Sequence, residues 1–396
     1  MAESAREVWI TGIGIVSCLG EGPDAHWQKL MQANPAADTT SQAPYVVHPL
    51  APVNFDTQIP KKGDQRQMEN WQRIGTYAAG LALDSAGVKG KTEILARMDM
   101  IVAAGGGERD LSVDSTILSG LPSAADPAAF LNERLMSDLR PTLFLAQLSN
   151  LLAGNISIVH GVTGSSRTFM GEESAGIDAV RIAHSRIRAG QSDIALVGGS
   201  FNAERPEMLM LMAFADIALK DKFAPVWERT GKGLALGSLG AFLVLEASEH
   251  AQARGARPLG RLTAVVADRS NRTPGTIAAS LAKLWDAVKD DIEPDHTALL
   301  SGATGSDPGT AEERSFLQSH SDLAVRATGS YLGHGLEPQF AMNIALATVA
   351  LGHGNLFPPC DSTGLERPMQ GNLRQILVTG VGHWRGEGLA LVERAG

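Results

Sequence analysis

Short apolar runs bounded by glycine recur along this chain, and they constrain its fold more than any other feature. They are VWITGIGIV (8–16), MIVAAGGG (100–107), ISIVHG (156–161), IALVGGS (194–200), AFLVLEA (241–247), LTAVVA (262–267), ALLSGA (298–303), LAVRATG (323–329) and ILVTGVG (376–382). Several are rich in β-branched residues and apolar on both faces, the pattern of strands covered by helices on either side. Helical patterns stand between them. ESAGIDAVRIAHSRIRAG (173–190) sets Ile177, Val180, Ala183 and Ile187 on one stripe and Arg181, Ser185 and Arg188 elsewhere, with Gly190 placed to end the helix. AMNIALATVALGHG (341–354) is nearly all apolar and predicts a buried helix. The expected class is therefore α/β.

The two parts of the chain echo each other. Each has a strand, a buried helix and a strand ending in glycines, LVGGS near 196–200 and LVTGVG near 377–382. A duplicated α/β unit is expected, divided into 1–255 and 256–396. The Pro-containing stretch 36–70 has little periodicity and is expected to decorate the surface, while 108–150 reads as an inserted helical or interface region.

Composition removes several functions. Net charge is −9, which argues against nucleic acid, since phosphate binding needs clustered Lys and Arg. The two cysteines, Cys18 and Cys360, suit neither a disulfide scaffold nor a CxxC metal site, and fit a reducing cytoplasm. No signal peptide and no run of about 20 apolar residues is evident, so no membrane span is expected. AAGGGERD (103–110) lacks the GK[ST] of a phosphate loop, and no cofactor or metal is expected.

GEESAG (171–176) resembles the GxSxG turn of serine hydrolases. That turn requires glycine two positions before the serine, and Glu172 stands there, so Ser174 is not expected to be a nucleophile.

A wider resemblance covers nearly the whole chain in order. VWITGIGIVSCLG resembles the opening VxVTGxGxVSPxG of the β-ketoacyl-acyl carrier protein synthases. The segment from NISIVHG to LVGGS is similar to that family's central segment, and WERTGKGLALGSLGAFLVLEASEHAQARGA to its next block. ATGSYLGHGLEPQFAMNIALATVALGHGNLFPP resembles the KSxxGHxxGAAG segment, and ILVTGVGHWRGEGLALVE the closing glycine-rich turn. The resemblance implies a thiolase-like fold, two pseudo-repeated halves in a five-layered αβαβα core, usually dimeric.

It also implies a chemistry, decarboxylative condensation. A cysteine thiolate at a helix N-terminus takes an acyl group from acyl carrier protein, and two histidines assist. Carried over by position, the cysteine is Glu173, the first histidine Ala303 and the lysine Gly329, while the second histidine is retained as His334. The closing turn becomes Val381, Gly382 and His383, with valine for the family's phenylalanine; a glutamate of the GDxxE type persists as Glu312 or Glu313. Three core positions change together, so this chain is not expected to condense on its own.

That pattern resembles the chain-length-factor class, which typically carries glutamine at the Glu173 position. The implied role is a non-condensing subunit of a heterodimer with a Cys-containing paralogue, served by acyl carrier protein and enclosing an acyl chain in a shared tunnel. Two other readings stay open. Glu173 and His334 could act as a decarboxylase or hydrolase dyad, or the chain could bind acyl groups or carrier protein as a homodimer. Glu173 is equally readable as a structural carboxylate at its helix N-terminus, and His334 as a hydrogen-bonded core residue.

Overall fold

In the computed structural model, residues 5–139, 145 and 147–395 are described. Ten strands form two equivalent sets. The first holds β1 (Val8–Ser17), β2 (Asp99–Ala103), β3 (Ser166–Phe169), β4 (Ile194–Phe201) and β5 (Leu239–Ala247). The second holds β6 (Gly260–Asp268), β7 (Thr297–Ser301), β8 (Ala324–Ala327), β9 (Gln375–Val381) and β10 (Glu387–Arg394). Their spatial order is β3-β2-β4-β5-β1 followed by β6-β10-β9-β7-β8. Each set pairs the same way, parallel about its second strand and antiparallel elsewhere. The sets join where β1 meets β6 through Trp9–Arg261 and Ile10–Gly260.

The helices repeat as well. Between the strands of the first set run α1 (Asn70–Ser85), α2 (Leu151–His160) and α3 (Glu172–Arg188); α4 (Thr276–Asp286), α5 (Gly309–Ser319) and α6 (Gln339–His353) occupy the equivalent places in the second. Helices α3 and α6 lie together in the middle, touching strands of both sets. The outer layers are α1 with α2 on one side and α4 with α5 on the other. This is a five-layered α/β core of the thiolase-like kind.

Strand alternation explains the layering. On β5, Leu243 and Leu245 face the central cluster while Phe242 and Val244 face the outer one; on β2, Ile101 and Ala103 face inward while Met100 and Val102 face outward. Both faces are buried, so polar residues do not alternate regularly with apolar ones, and each fully buried aliphatic side chain contributes about 1.5–3 kcal/mol. Helix α3 carries acids in its first turn and Arg186 and Arg188 in its last, matching its dipole. Gly190 follows its end at φ 68°, as the sequence suggests.

Two expectations fail here. ISIVHG (156–161) is not a strand. It is the last part of α2, with Leu152, Ala153, Ile156 and His160 inward and Ile158 73 % exposed. Gly161 at φ 77° caps that helix, with its N–H on the Ser157 carbonyl. The β-branched residues mimic a strand, but their inward positions are spaced three and four apart. Nor does 36–70 merely decorate the surface. Val46, Val47, Ile59 and Met68 are buried, and Val47–His48 pairs with Leu236–Gly237 in a small second sheet. The stretch 108–150 forms helices at Leu111–Gly120 and Pro127–Ser137, with Leu118 and Met136 well exposed; 140–144 and 146 lie outside the described residues.

Candidate active site

The site sits where α3 and α6 begin, between the two halves. Strand β3 ends at Phe169, and the chain enters α3 through Gly171 at φ 115° and Glu172 at φ 40°. A left-handed non-glycine residue costs about 1–3 kcal/mol and persists only where its surroundings hold it. Here Arg385 Nη2 lies 3.4 Å from the Glu172 carboxylate. The strained turn aims the next residue, Glu173, into the interior, where it is 4 % exposed.

Glu173 meets His334 there. The segment before α6 is fixed by backbone bonds, His334 N–H to Ala235 and Gly237 N–H to the His334 carbonyl, at 2.8 and 2.9 Å. The imidazole Nε2 then lies 2.7 Å from Glu173 Oε1. Burial works against the Glu173 charge, but the hydrogen bond and charge of His334, its own backbone N–H and His383 outweigh it and hold the carboxyl below its ordinary value. An ionised carboxylate only accepts, so His334 Nε2–H is the donor. The other oxygen, Oε2, is buried without a hydrogen-bond partner.

Gly382 faces that free oxygen. A Cβ there would come within 3.3 Å of Glu173 Oε2 and 2.0 Å of the Arg385 carbonyl, so no other residue fits. His383, half-buried beside it, is biased towards its neutral form by burial first, with His334 and Arg272 adding to this and Glu173 opposing. The structure thus brings Glu173, His334, Gly382 and His383 together.

Ala303, Gly329 and Val381 bring no polar side chain to this group. Ala303 and Val381 belong to an apolar cluster with Val226, Trp227 and Phe316. A Cβ on Gly329 would stand 3.0 Å from the Ala303 carbonyl and 3.2 Å from Val226 Cγ2, so any side chain there would be tightly packed from its first carbon. Of the two acids nearby, Glu313 is the inward one. It accepts from Ser301 and Thr379 hydroxyls, and burial raises it above the usual carboxylate range. Glu312 instead accepts from the N–H groups of Gly275 and Ala278 at the start of α4.

The sequence reading missed Glu337. It is 4 % exposed at the start of α6, and its carboxyl is pushed up to about 7, by burial first and then by the charges of Glu173 and Glu172. Gly176 lets this turn approach, since a Cβ there would meet the Glu337 carbonyl at 2.1 Å. The acid borders a cavity of about 40 Å³ with Trp71, Gly105, Ser200 and Arg205. An acid immediately before an all-apolar helix was the available signal. Neither thiol offers a nucleophile: burial pushes Cys18 and Cys360 each up to about 12. Among the described residues no group of His, Cys, Asp and Glu is placed to hold a metal ion, and no helix is long and apolar enough to cross a membrane.

Comparison with known proteins fits this architecture. The chain is 26% identical over 380 residues to the oxytetracycline polyketide putative beta-ketoacyl synthase 1 of Streptomyces rimosus, covering 90% of this chain and 87% of that one. To the 3-oxoacyl-[acyl-carrier-protein] synthase 2 of Vibrio cholerae it is 25% identical over 265 residues, 64% of this chain and 61% of the relative, so it spans about three-fifths of that length. Among solved structures, the ishigamide ketosynthase/chain length factor superposes with a TM-score of 0.81 at 20% identity, covering 99% of this chain and 100% of that one. A type II polyketide acyl-carrier protein in complex with its ketosynthase gives 0.74 at 17%, covering 98% and 99%. Residues 5–251 match the Beta-ketoacyl synthase, N-terminal domain, family, and the chain belongs to it.

Proposed function

We propose that this chain is a non-condensing, chain-length-factor-like subunit in fatty-acid or polyketide elongation. It pairs in the cytoplasm with a Cys-containing β-ketoacyl synthase paralogue, receives acyl carrier protein at that pair and helps enclose the growing acyl chain. The halves divide at 255/256, in the connection between β5 and β6.

The observation that carries the reading is the buried Glu173–His334 pair at the head of α3. In the proposed alignment the carboxylate occupies the nucleophile position, and a carboxylate held by an imidazole forms no thioester. The positions of the absent histidine and lysine support the same reading, because Ala303 and Gly329 offer no imidazole or ammonium to stabilise an enolate. The free edge of the sheet supports a protein partner. Among the described residues strand β3 pairs only with β2, and Ile158 and Met170 beside it are 73 % and 67 % exposed.

The test is co-expression with a Cys-containing synthase and an acyl carrier protein from the same source. Native mass spectrometry should show one copy of each synthase-like chain, and removing this chain should change the product length. A homodimer that leaves product length unchanged contradicts the proposal and favours an acyl- or carrier-binding role. The 2.7 Å contact also keeps a second reading in view, a Glu/His-dependent decarboxylase or hydrolase. Release of carbon dioxide from malonyl-acyl carrier protein, abolished in Glu173→Gln and His334→Ala, would establish it.

A further inference from the structure

One arginine outside every sequence motif holds the turn that covers Glu173. After β6 the chain bends through Arg272, at φ 65°. Its guanidinium reaches across to the β9–β10 turn. Nε donates to the His383 carbonyl at 3.2 Å, and Nη2 to the carbonyls of Gly382 and Gly386 at 2.5 and 3.3 Å. Nη1 pairs with the Glu387 carboxylate and the Ser270 hydroxyl. Glu387 is fully buried and also accepts from Ser270 N–H at 2.9 Å and from the Ser270 and Ser280 hydroxyls at 2.8 and 3.1 Å. A planar fork of five donors can bind three carbonyls and a carboxylate at once; a single ammonium cannot.

The strapped turn lies on the candidate site. Gly382 faces Glu173 Oε2, and a Cβ on Gly386 would meet Ser174 Cβ at 2.5 Å, so the turn packs directly onto the first turn of α3. On its outer side Arg385 reaches Glu172. The turn is tied to the second half of the molecule by Arg272 and to α3 by Arg385, and the Glu173–His334 pair is sealed beneath it.

We infer that Arg272 is a positioning residue that straps residues 382–387 shut over Glu173 and His334 and bars reagents from the pair. This goes beyond the proposed subunit role and holds whichever partner the chain has. Glutamate is chemically silent, so the probe is the E173C thiol. Its alkylation by iodoacetamide is followed by peptide mass spectrometry, with the partly buried thiols of Cys18 and Cys360 as references in the same sample. The E173C thiol should react slowly, and E173C/R272A at least tenfold faster, with the two reference thiols unchanged. E173C/R272K should also react faster, because lysine keeps the charge but not the fork. In the otherwise unaltered chain, R272K should speed amide exchange at 382–387 and leave α6 protected. Equal alkylation rates with and without the strap overturn the inference, as does unchanged exchange of the turn in R272K. Should R272A fail to fold, the two R272K measurements decide the matter alone.

Discussion

Replacing Glu337 by glutamine keeps the side chain's shape and removes its charge. The folded carboxyl titrates at about 7, against an ordinary value of 4.5. Each unit of difference corresponds to about 1.36 kcal/mol, so the native state carries a penalty of roughly 3 kcal/mol once Glu337 is ionised. The sign follows from proton counting. The folded chain binds this proton more tightly than the unfolded chain, so stability falls as pH rises from about 4.5 towards 7 and the loss is complete above that. Near pH 4, below both values, the variant and parent should melt together. By pH 8 the Glu337→Gln chain should be more stable by about 2–3 kcal/mol, since the charges of Glu173 and Glu172 no longer face a third. Paired thermal melts of parent and variant across this range read the difference directly, and pH effects from groups not coupled to Glu337 cancel. A variant that melts at or below the parent at pH 8, or an offset that does not grow with pH, refutes the reasoning.

Other perturbations read other parts of the account. His334→Ala leaves the Glu173 carboxylate buried and unpaired and should cost about 3–5 kcal/mol in denaturant unfolding, most of it recovered in the Glu173→Gln/His334→Ala double variant. Gly329→Lys forces a side chain against the Ala303 carbonyl and Val226; a lower melting temperature and no gain of condensing activity are expected, with overpacking costing about 1–3 kcal/mol. Four buried histidines, His26, His48, His160 and His184, titrate at about 4, 3, 4 and 4, lowered by burial before any other cause. Their unfolded forms bind protons more readily, so stability should fall as pH drops from about 6.5 to 4, measured as a declining melting temperature.

The layered core was legible because fully buried strands have no polar face. Runs such as AFLVLEA announce themselves, and so does the α3 stripe of Ile177, Val180, Ala183 and Ile187. ISIVHG was misread because β-branched residues fit a helix whenever the inward positions fall on one stripe, and only Gly161 marked its end. The stretch 36–70 hid its contribution because elements of two to five residues have no measurable period. At the site, Glu173 and His334 could be pointed to by motif position, yet their 2.7 Å contact depends on two helix starts that 161 residues of chain separate. Glu337 stayed hidden because a lone acid before a helix usually reads as an exposed residue favouring the dipole, and only the fold buries it. Arg272 had no motif at all, and its partners lie on a hairpin 110 residues further on.

The central claim, that this chain does not itself condense, is tested most directly by incubating the purified protein with acyl- and malonyl-acyl carrier protein. Intact-protein mass spectrometry then follows the chain while the carrier protein is examined for β-ketoacyl product. The account predicts no acyl adduct on the chain and no product until a Cys-containing synthase is added. An acyl adduct, or β-ketoacyl product formed by this chain alone, would contradict it.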